Sequence, residues 1–251
     1  MFADQAGIAL TYERALAEPK AFRACVERLV KQGFRGANVT LPFKEEALAI
    51  AARASDRATR AGAANTLSFD AGGIAADNTD GAGLLRDLAE NIGIQVEGQR
   101  VLMLGAGGAA RGVLHPLLDA RPMELVIANR TMERAVDLAT RDPIAGRTSA
   151  AKFEDLGGGA FDLIINATSA SVQGSVPPVP PSCFASHTLA YDMMYGAKPT
   201  AFMDFAASHG ARTADGLGML VEQAAEAFMV WHGMRPDIAA VLVALRQRLS
   251  S

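Results

Sequence analysis

Two residues far apart in the sequence, Lys44 and Asp80, have side chains suited to moving a proton, and a Gly-rich segment follows them. Lys44 lies in Asn38-Val39-Thr40-Leu41-Pro42-Phe43-Lys44-Glu45-Glu46, and Asp80 lies in Asp77-Asn78-Thr79-Asp80-Gly81. Proline is favoured in a first helical turn, and Glu45 and Glu46 suit a helix N-terminus, so Lys44 should project from the start of a helix. The positive end of that helix opposes the ammonium charge, and burial in a cleft would add to this, readying the amine for acid/base work near neutral pH. Asp80 nearby would hold the amine and stabilise its charged form. Spacing alone leaves a plain surface ion pair, or no contact at all, as the alternative.

Such a pair acquires a purpose beside a hydride carrier. The run Val101-Leu102-Met103-Leu104 ends in Gly105-Ala106-Gly107-Gly108-Ala109-Ala110 and passes into Ala- and Leu-rich sequence, the pattern of strand, tight turn and helix. Glycines let the backbone approach a pyrophosphate, and the helix N-terminus offers free N–H donors. Gly112 arrives two residues later than the third glycine of G-x-G-x-x-G should, so a Gly-rich turn without a ligand is the competing reading of this segment taken alone. The next apolar run, Glu124-Leu125-Val126-Ile127-Ala128, ends in Asn129-Arg130-Thr131, where the adenosine ribose is read. A site for NAD usually places a carboxylate there; Arg130 instead suits the 2′-phosphate of NADP. Arg134, one turn on, with Thr131 as helix N-cap, would supply a second cation over the same phosphate, or else a solvated helix face.

The elements that must position these groups can be read along the chain. Residues 1–8 read as the end of a helix, 10–16 as a strand, 20–33 as an amphipathic helix ending at Gly33, and 36–39 as a short strand. Residues 43–61 read as a helical stretch broken near Ser55, 64–69 and 73–76 as strands about the turn Asp70-Ala71-Gly72, and 80–91 as a helix. From Val101 strands and helices alternate, which predicts a doubly wound parallel sheet. The apolar strand Phe161–Asn166 ends in Ala167-Thr168-Ser169, small polar residues expected beside the nicotinamide, and the Pro-rich stretch 175–181 must be a loop. A further strand reaches Tyr191-Asp192-Met193-Met194-Tyr195, and 217–231 and 238–249 read as helices, with Trp231 a core residue.

Composition narrows the classes. The chain has 251 residues, 50% of them hydrophobic, and a net charge of −3 without a basic run, which fits one large or two modest α/β domains and excludes a nucleic-acid footprint. Two cysteines, Cys25 and Cys183, provide neither a disulfide framework nor a thiolate cluster, as expected of a cytoplasmic protein. The histidines at 115, 187, 209 and 232 show no metal-ligand pairing. No apolar run approaches the roughly eighteen residues that a bilayer demands, and no signal-peptide pattern opens the chain.

The ordered motifs Asn38-Val39-Thr40-x-Pro42-Phe43-Lys44, Gly62-Ala63-Ala64-Asn65-Thr66, Asp77–Gly81, Gly105–Ala109, Asn129-Arg130-Thr131, Asn166–Ser169, Tyr191-Asp192-Met193-x-Tyr195 and Ala214–Leu220 resemble those of the shikimate dehydrogenase family. The resemblance runs the length of the chain and implies an α/β protein of two domains. One is an α/β/α substrate domain from residues 1–80 plus 217–251; the other is a Rossmann-like NADP domain from 81–216. It implies reversible NADP-linked reduction of 3-dehydroshikimate, with Lys44 and Asp80 as the catalytic pair and Thr40, Asn65, Tyr195 and Gln223 as substrate contacts. Gly105, Ala106, Gly107, Gly108 and Ala109 carry over as the pyrophosphate loop. Asn129, Arg130, Thr131 and Arg134 carry over as the adenosine-phosphate clamp, Met193 and Gly216 as nicotinamide-side contacts, and Asp56 as an acidic cofactor residue. The expected partner is a small molecule, with no nucleic acid or membrane, in a monomer or homodimer.

The family ordinarily begins with a strand and a Ser-x-Ser turn that holds the substrate carboxylate, for which this sequence has no counterpart. An unpaired sheet edge and exposed apolar surface are expected as a result. A shortened form of an ordinary enzyme is the favoured reading, because the pair and every cofactor motif are intact; a non-catalytic NADP-binding homologue and a dual shikimate/quinate dehydrogenase are the alternatives. A relative of glutamyl-tRNA reductase, sharing the cofactor domain alone, is excluded by the motifs at Lys44 and Asn65.

Overall fold

The computed structural model describes residues 1–141 and 147–250. Two sheets form, each from the segment expected to build it. The first half carries α1 (Phe2–Ala6), α2 (Phe22–Lys31), β1 (Gly36–Asn38), α3 (Lys44–Ala49), β2 (Arg53–Ala54), α4 (Asp56–Ala61), β3 (Thr66–Asp70), β4 (Gly73–Asp77) and α5 (Asp80–Arg86). Its four strands lie in the order β1-β3-β4-β2, with β2 parallel to β4 and the other pairs antiparallel. Phe22, Val26, Val39, Ala47, Ala58, Leu67 and Phe69 form the core beneath this sheet.

The second half carries β5 (Arg100–Leu104), α6 (Gly108–Asp119), β6 (Glu124–Ala128), α7 (Met132–Ala139), β7 (Thr148–Ala151), β8 (Leu163–Asn166), β9 (Leu189–Asp192), α8 (Ala201–Ser208) and β10 (Arg212–Asp215). All six strands are parallel, in the order β10-β9-β8-β5-β6-β7, so the chain starts in the middle, winds outward to β7, and then returns to build the other side. The change of direction between β5 and β8 opens a crevice at their carboxyl ends, where ligands of such sheets bind. Both faces of the sheet are covered: Val101, Met103, Leu163 and Ile165 point into one core, and Leu102, Leu104, Ile164 and Phe202 into the other. Burial on both sides explains why these strands read as unbroken apolar runs.

Of the two C-terminal helices, α9 (Leu217–His232) returns to the first half, and α10 (Ala239–Ser250) packs on α9 while its Arg246 donates to both Asp215 oxygens at 2.6 Å. Trp231 is half-buried rather than part of the core, its indole N–H donating to the Leu67 carbonyl at 3.1 Å. Helix α9 crosses α5 so closely that a Cβ on Gly83 would come within 2.7 Å of Gln223 Cβ and 2.8 Å of its backbone nitrogen.

Three further sequence-based expectations change. Residues 10–16 form no strand; among the described residues they join no ladder, and an extended segment without a ladder partner is not held as a strand. Tyr12 of this segment instead donates its hydroxyl to Asn38 Oδ1 of β1 at 2.8 Å, and Leu10, Tyr12 and Leu16 are exposed; among the described residues β1 is bonded only to β3. The stretch 43–61 is two short helices rather than one broken helix, because Arg53 and Ala54 are drawn into the sheet beside Ala75 and Ala76. Ser55 marks the break by capping α4, its hydroxyl accepting from Ala58 N at 3.2 Å. The helix from Asp80 is α-helical only to Arg86 and continues as a π-helical turn, Asp87–Ile92, before Gly93 ends it with φ 80°.

Candidate active site

Lys44 is the first residue of α3, as its neighbours predicted, and Asp80 is the first residue of α5. The two helix starts face one another, and Lys44 Nζ donates to Asp80 Oδ2 at 2.5 Å, with the side chains only 15% and 8% exposed. A surface ion pair is thereby excluded.

Asp80 is held from several sides. Its Oδ1 accepts from Asn65 Nδ2 at 2.8 Å, and its backbone N–H donates to Asn78 Oδ1 at 3.1 Å. Asn65 also donates to Thr79 Oγ1 at 2.9 Å and Gln223 Oε1 at 3.1 Å, and its own Oδ1 accepts from the Thr79 amide at 2.9 Å. Asn65, Asp80, Lys44 and Gln223, four residues of the expected substrate site, therefore form one hydrogen-bonded cluster, with Gln223 supplied by α9 from the far end of the chain. Thr40 lies exposed on the turn before α3, its carbonyl accepting from Phe43 N at 3.1 Å, and Tyr195 is exposed beyond β9. Neither joins the cluster.

Behind the cluster Asp77 anchors the same turn. Arg57 donates to both Asp77 oxygens, at 2.6 and 2.8 Å, and bridges to Glu226 of α9 at 2.8 Å. Burial pushes the Asp77 carboxyl up, but the Arg57 guanidinium and the Ser55 hydroxyl more than offset this and hold it below the ordinary carboxylate range.

The Gly-rich loop leaves β5 at Gly105, whose φ of 101° requires glycine, and Gly107 is the N-cap of α6 with no side chain to cap the helix. Free amides at the start of α6 therefore face the crevice, ready for a phosphate. Gly107 is exposed, Gly108 and Ala109 half-buried and Ala106 buried. Beyond β6, Asn129 Nδ2 turns back to the Thr131 carbonyl at 2.8 Å. Thr131 is the N-cap residue of α7 by position, but its hydroxyl makes no capping bond. Arg130 and Arg134 are exposed and have no ion-pair partner among the described residues, so both guanidiniums are available to an anion. Met193 and Gly216 lie together: the Gly216 N–H donates to the Met194 carbonyl at 3.0 Å, and a Cβ at 216 would collide with the Met193 backbone. Asp56 is exposed at the start of α4, with no hydrogen bond to the Gly-rich loop or to residues 129–134.

Some supporting residues were not singled out from sequence. Asp192 accepts from Ser171 Oγ at 2.5 Å, Thr200 Oγ1 at 2.6 Å and Met194 N at 3.0 Å, while Asn166 Oδ1 accepts from Thr168 Oγ1 at 2.7 Å and its Nδ2 donates to Ser171 at 3.1 Å. This network ties the ends of β8 and β9 to the segment bearing Met193. A buried Asp at a strand end in Tyr191-Asp192-Met193 was the available signal.

A doubly wound sheet with an uncapped helix N-terminus, two exposed arginines and a buried Lys–Asp pair defines a nicotinamide-dependent oxidoreductase. Family models agree: residues 1–67 match the shikimate dehydrogenase substrate binding domain, 87–173 match shikimate/quinate 5-dehydrogenase, and 216–246 match the shikimate 5′-dehydrogenase C-terminal domain. The shikimate dehydrogenase (NADP(+)) of Herminiimonas arsenicoxydans is 53% identical over 248 residues, covering 99% of this chain and 90% of its own. Among solved structures, an Ael1 enzyme from Pseudomonas putida superposes with a TM-score of 0.92 at 45% identity, over 100% of this chain and 91% of its own. The shikimate 5-dehydrogenase of Thermus thermophilus, solved with NADP(H) and shikimate, gives 0.86 at 33% identity, over 99% and 92%. The chain belongs to the shikimate dehydrogenase family.

Proposed function

We propose that this chain reduces 3-dehydroshikimate to shikimate reversibly, with Lys44 and Asp80 handling the proton. The carrying observation is the 2.5 Å contact between Lys44 Nζ and Asp80 Oδ2, with both side chains largely buried. NADPH would supply the hydride. In reduction Lys44 gives a proton to the carbonyl oxygen as the alcohol forms; in oxidation it takes that proton back. Asp80 balances the ammonium charge and fixes the Nζ position, while Asn65 and Gln223 present an amide edge to the substrate hydroxyls. Thr40 and Tyr195, free of the cluster, contact the substrate from the open side.

The residues fit NADP. The amides of Gly105–Ala109 would meet the pyrophosphate, Asn129 and Thr131 would frame the adenosine, and Arg130 and Arg134 would pair with the 2′-phosphate. Met193 and Gly216 offer a flat surface beside the reacting ring, and Asp56 has a peripheral role at most. We assign residues 1–80 and 217–251 to a substrate domain and 81–216 to a cofactor domain; of these, 142–146 and 251 lie outside the described residues.

The test is shikimate oxidation by the purified chain with NADP, followed by the absorbance of the reduced nicotinamide, with cofactor titration of the same sample and quinate as a second substrate. Turnover with shikimate and NADP is expected; NADP binding without turnover on either substrate would make the protein a binding homologue.

A further inference from the structure

Gly112 breaks the spacing of the dinucleotide fingerprint, in which the third glycine allows the helix to pack closely on its strand. In this fold Gly112 faces elsewhere. A Cβ built on it would lie 2.9 Å from Asp80 Oδ2, 3.3 Å from Asp80 Cβ and 3.5 Å from Asp80 Cγ, so its three nearest neighbours are all atoms of the acid partner of Lys44.

Asp80 has little room to give way. It is 6% exposed, Lys44 holds Oδ2 at 2.5 Å, Asn65 holds Oδ1 at 2.8 Å, and Asn78 holds its amide at 3.1 Å. The backbone beside it is equally confined: a Cβ on Gly81 would come within 2.8 Å of Pro116 Cβ and 3.0 Å of the Gly112 carbonyl. The start of α5 thus rests on one face of α6, from Gly112 to Pro116, with no Cβ at either point of contact.

We propose that Gly112 is a positioning residue for the proton-transfer pair: the helix that binds the cofactor also forms the floor beneath the Asp80 carboxylate. The cofactor helix and the acid/base pair are registered against each other through this contact, so the site that delivers hydride and the site that delivers the proton share one rigid support. The proposal rests on the reading of Lys44 and Asp80 as the acid/base pair. It differs from the loop's own role, because Gly112 lies a full turn beyond the amides that meet the pyrophosphate.

The test is Gly112→Ala. Pushing Asp80 off Lys44 should lower kcat at least about tenfold while NADP affinity by fluorescence titration stays within about twofold, since the loop is untouched. Unchanged kcat, or an equal loss of NADP affinity, would overturn the proposal.

Should Gly112→Ala fail to fold, the double variant Gly112→Ala/Asp80→Ala decides. Removing the carboxylate removes the collision, so the double variant should melt at or above the temperature of Asp80→Ala alone, an alanine being the better helix residue. A double variant that also fails to fold would show that Gly112 abuts something other than Asp80 and would overturn the proposal as well. Asp80→Ala by itself separates the two readings: full turnover in that variant would defeat the acid/base pair, whatever Gly112 does.

Discussion

A lysine and an aspartate whose charges meet at 2.5 Å in a largely buried cleft have different consequences from the same pair on a surface. With water excluded, the ammonium depends on Asp80 for its charge balance, and its proton is directed at whatever occupies the cleft. Lys44→Ala should therefore lower kcat for shikimate oxidation by about 10²–10⁴-fold, the usual contribution of a general acid/base, while NADP titration changes little. An equal loss in both measurements would mean that Lys44 shapes the protein rather than the reaction. The exposed Arg130 is the residue on which the proposed preference for NADP rests. Losing one hydrogen bond to a charged group costs about 1.5–3 kcal/mol, so Arg130→Ala should weaken NADP roughly 10- to 100-fold and leave NAD nearly unaffected. A uniform effect on the two cofactors would remove Arg130 from the 2′-phosphate site.

Elements explain which parts of this architecture could be read in advance. Strands β5, β6 and β8 were legible because burial on both faces demands apolar runs, and Gly105 marks where β5 must turn. Strands β2 and β7, Arg53–Ala54 and Thr148–Ala151, were not, since short sheet-edge strands take their structure from a neighbour rather than from their own residues. The failure at Leu10–Leu16 is the converse: the alternation is present but no partner strand is. Lys44 and Asp80 were legible as types; Thr79 and Asp192 emerge as supports only once β4, β8, β9 and α9 are assembled. The crossing of α5 and α9 was hidden for the same reason, since Gly83 looks unremarkable until Gln223 lies against it. Gly83→Ala gains roughly 1 kcal/mol of helix propensity but forces a Cβ against the Gln223 backbone, which overpacking at about 1–3 kcal/mol outweighs. The melting temperature should fall and KM for shikimate rise as Gln223 is displaced; a higher melting temperature would show that the two helices have slack.

At the scale of the molecule, a buried polar seam joins the six-stranded sheet to α9. Asp87 accepts from Tyr191 of β9 at 2.6 Å and from Asn91 at 2.9 Å, and a Cβ on Gly218 of α9 would strike its carboxylate. Asn91 reaches on to Glu222 of α9 at 3.3 Å, and Glu222 is paired with Arg235. Burial raises both the Asp87 and Glu222 carboxyls, more than Tyr191 and Arg235 lower them, so in the folded chain each keeps its proton to higher pH than in the unfolded chain. Stability from such groups is complete below their unfolded values, about 4, and declines as pH rises through their folded values. Asp77, lowered by Arg57, acts in the opposite sense: its stabilisation is present above the unfolded value and is lost as pH falls through the folded one. The seam and the anchor of the Asp77–Asp80 turn thus pull the pH dependence in opposite directions. Asp87→Asn isolates the seam, because an amide keeps an acceptor for Tyr191 yet carries no charge to bury. Urea unfolding at pH 4 and pH 7 should show the native chain losing stability relative to this variant as pH rises, in the window that begins near the unfolded carboxyl value of about 4. A difference between the two proteins that stays constant with pH would mean that Asp87 binds its proton equally in the folded and unfolded chains, and that the seam is held by Tyr191 and packing rather than by the burial of charge.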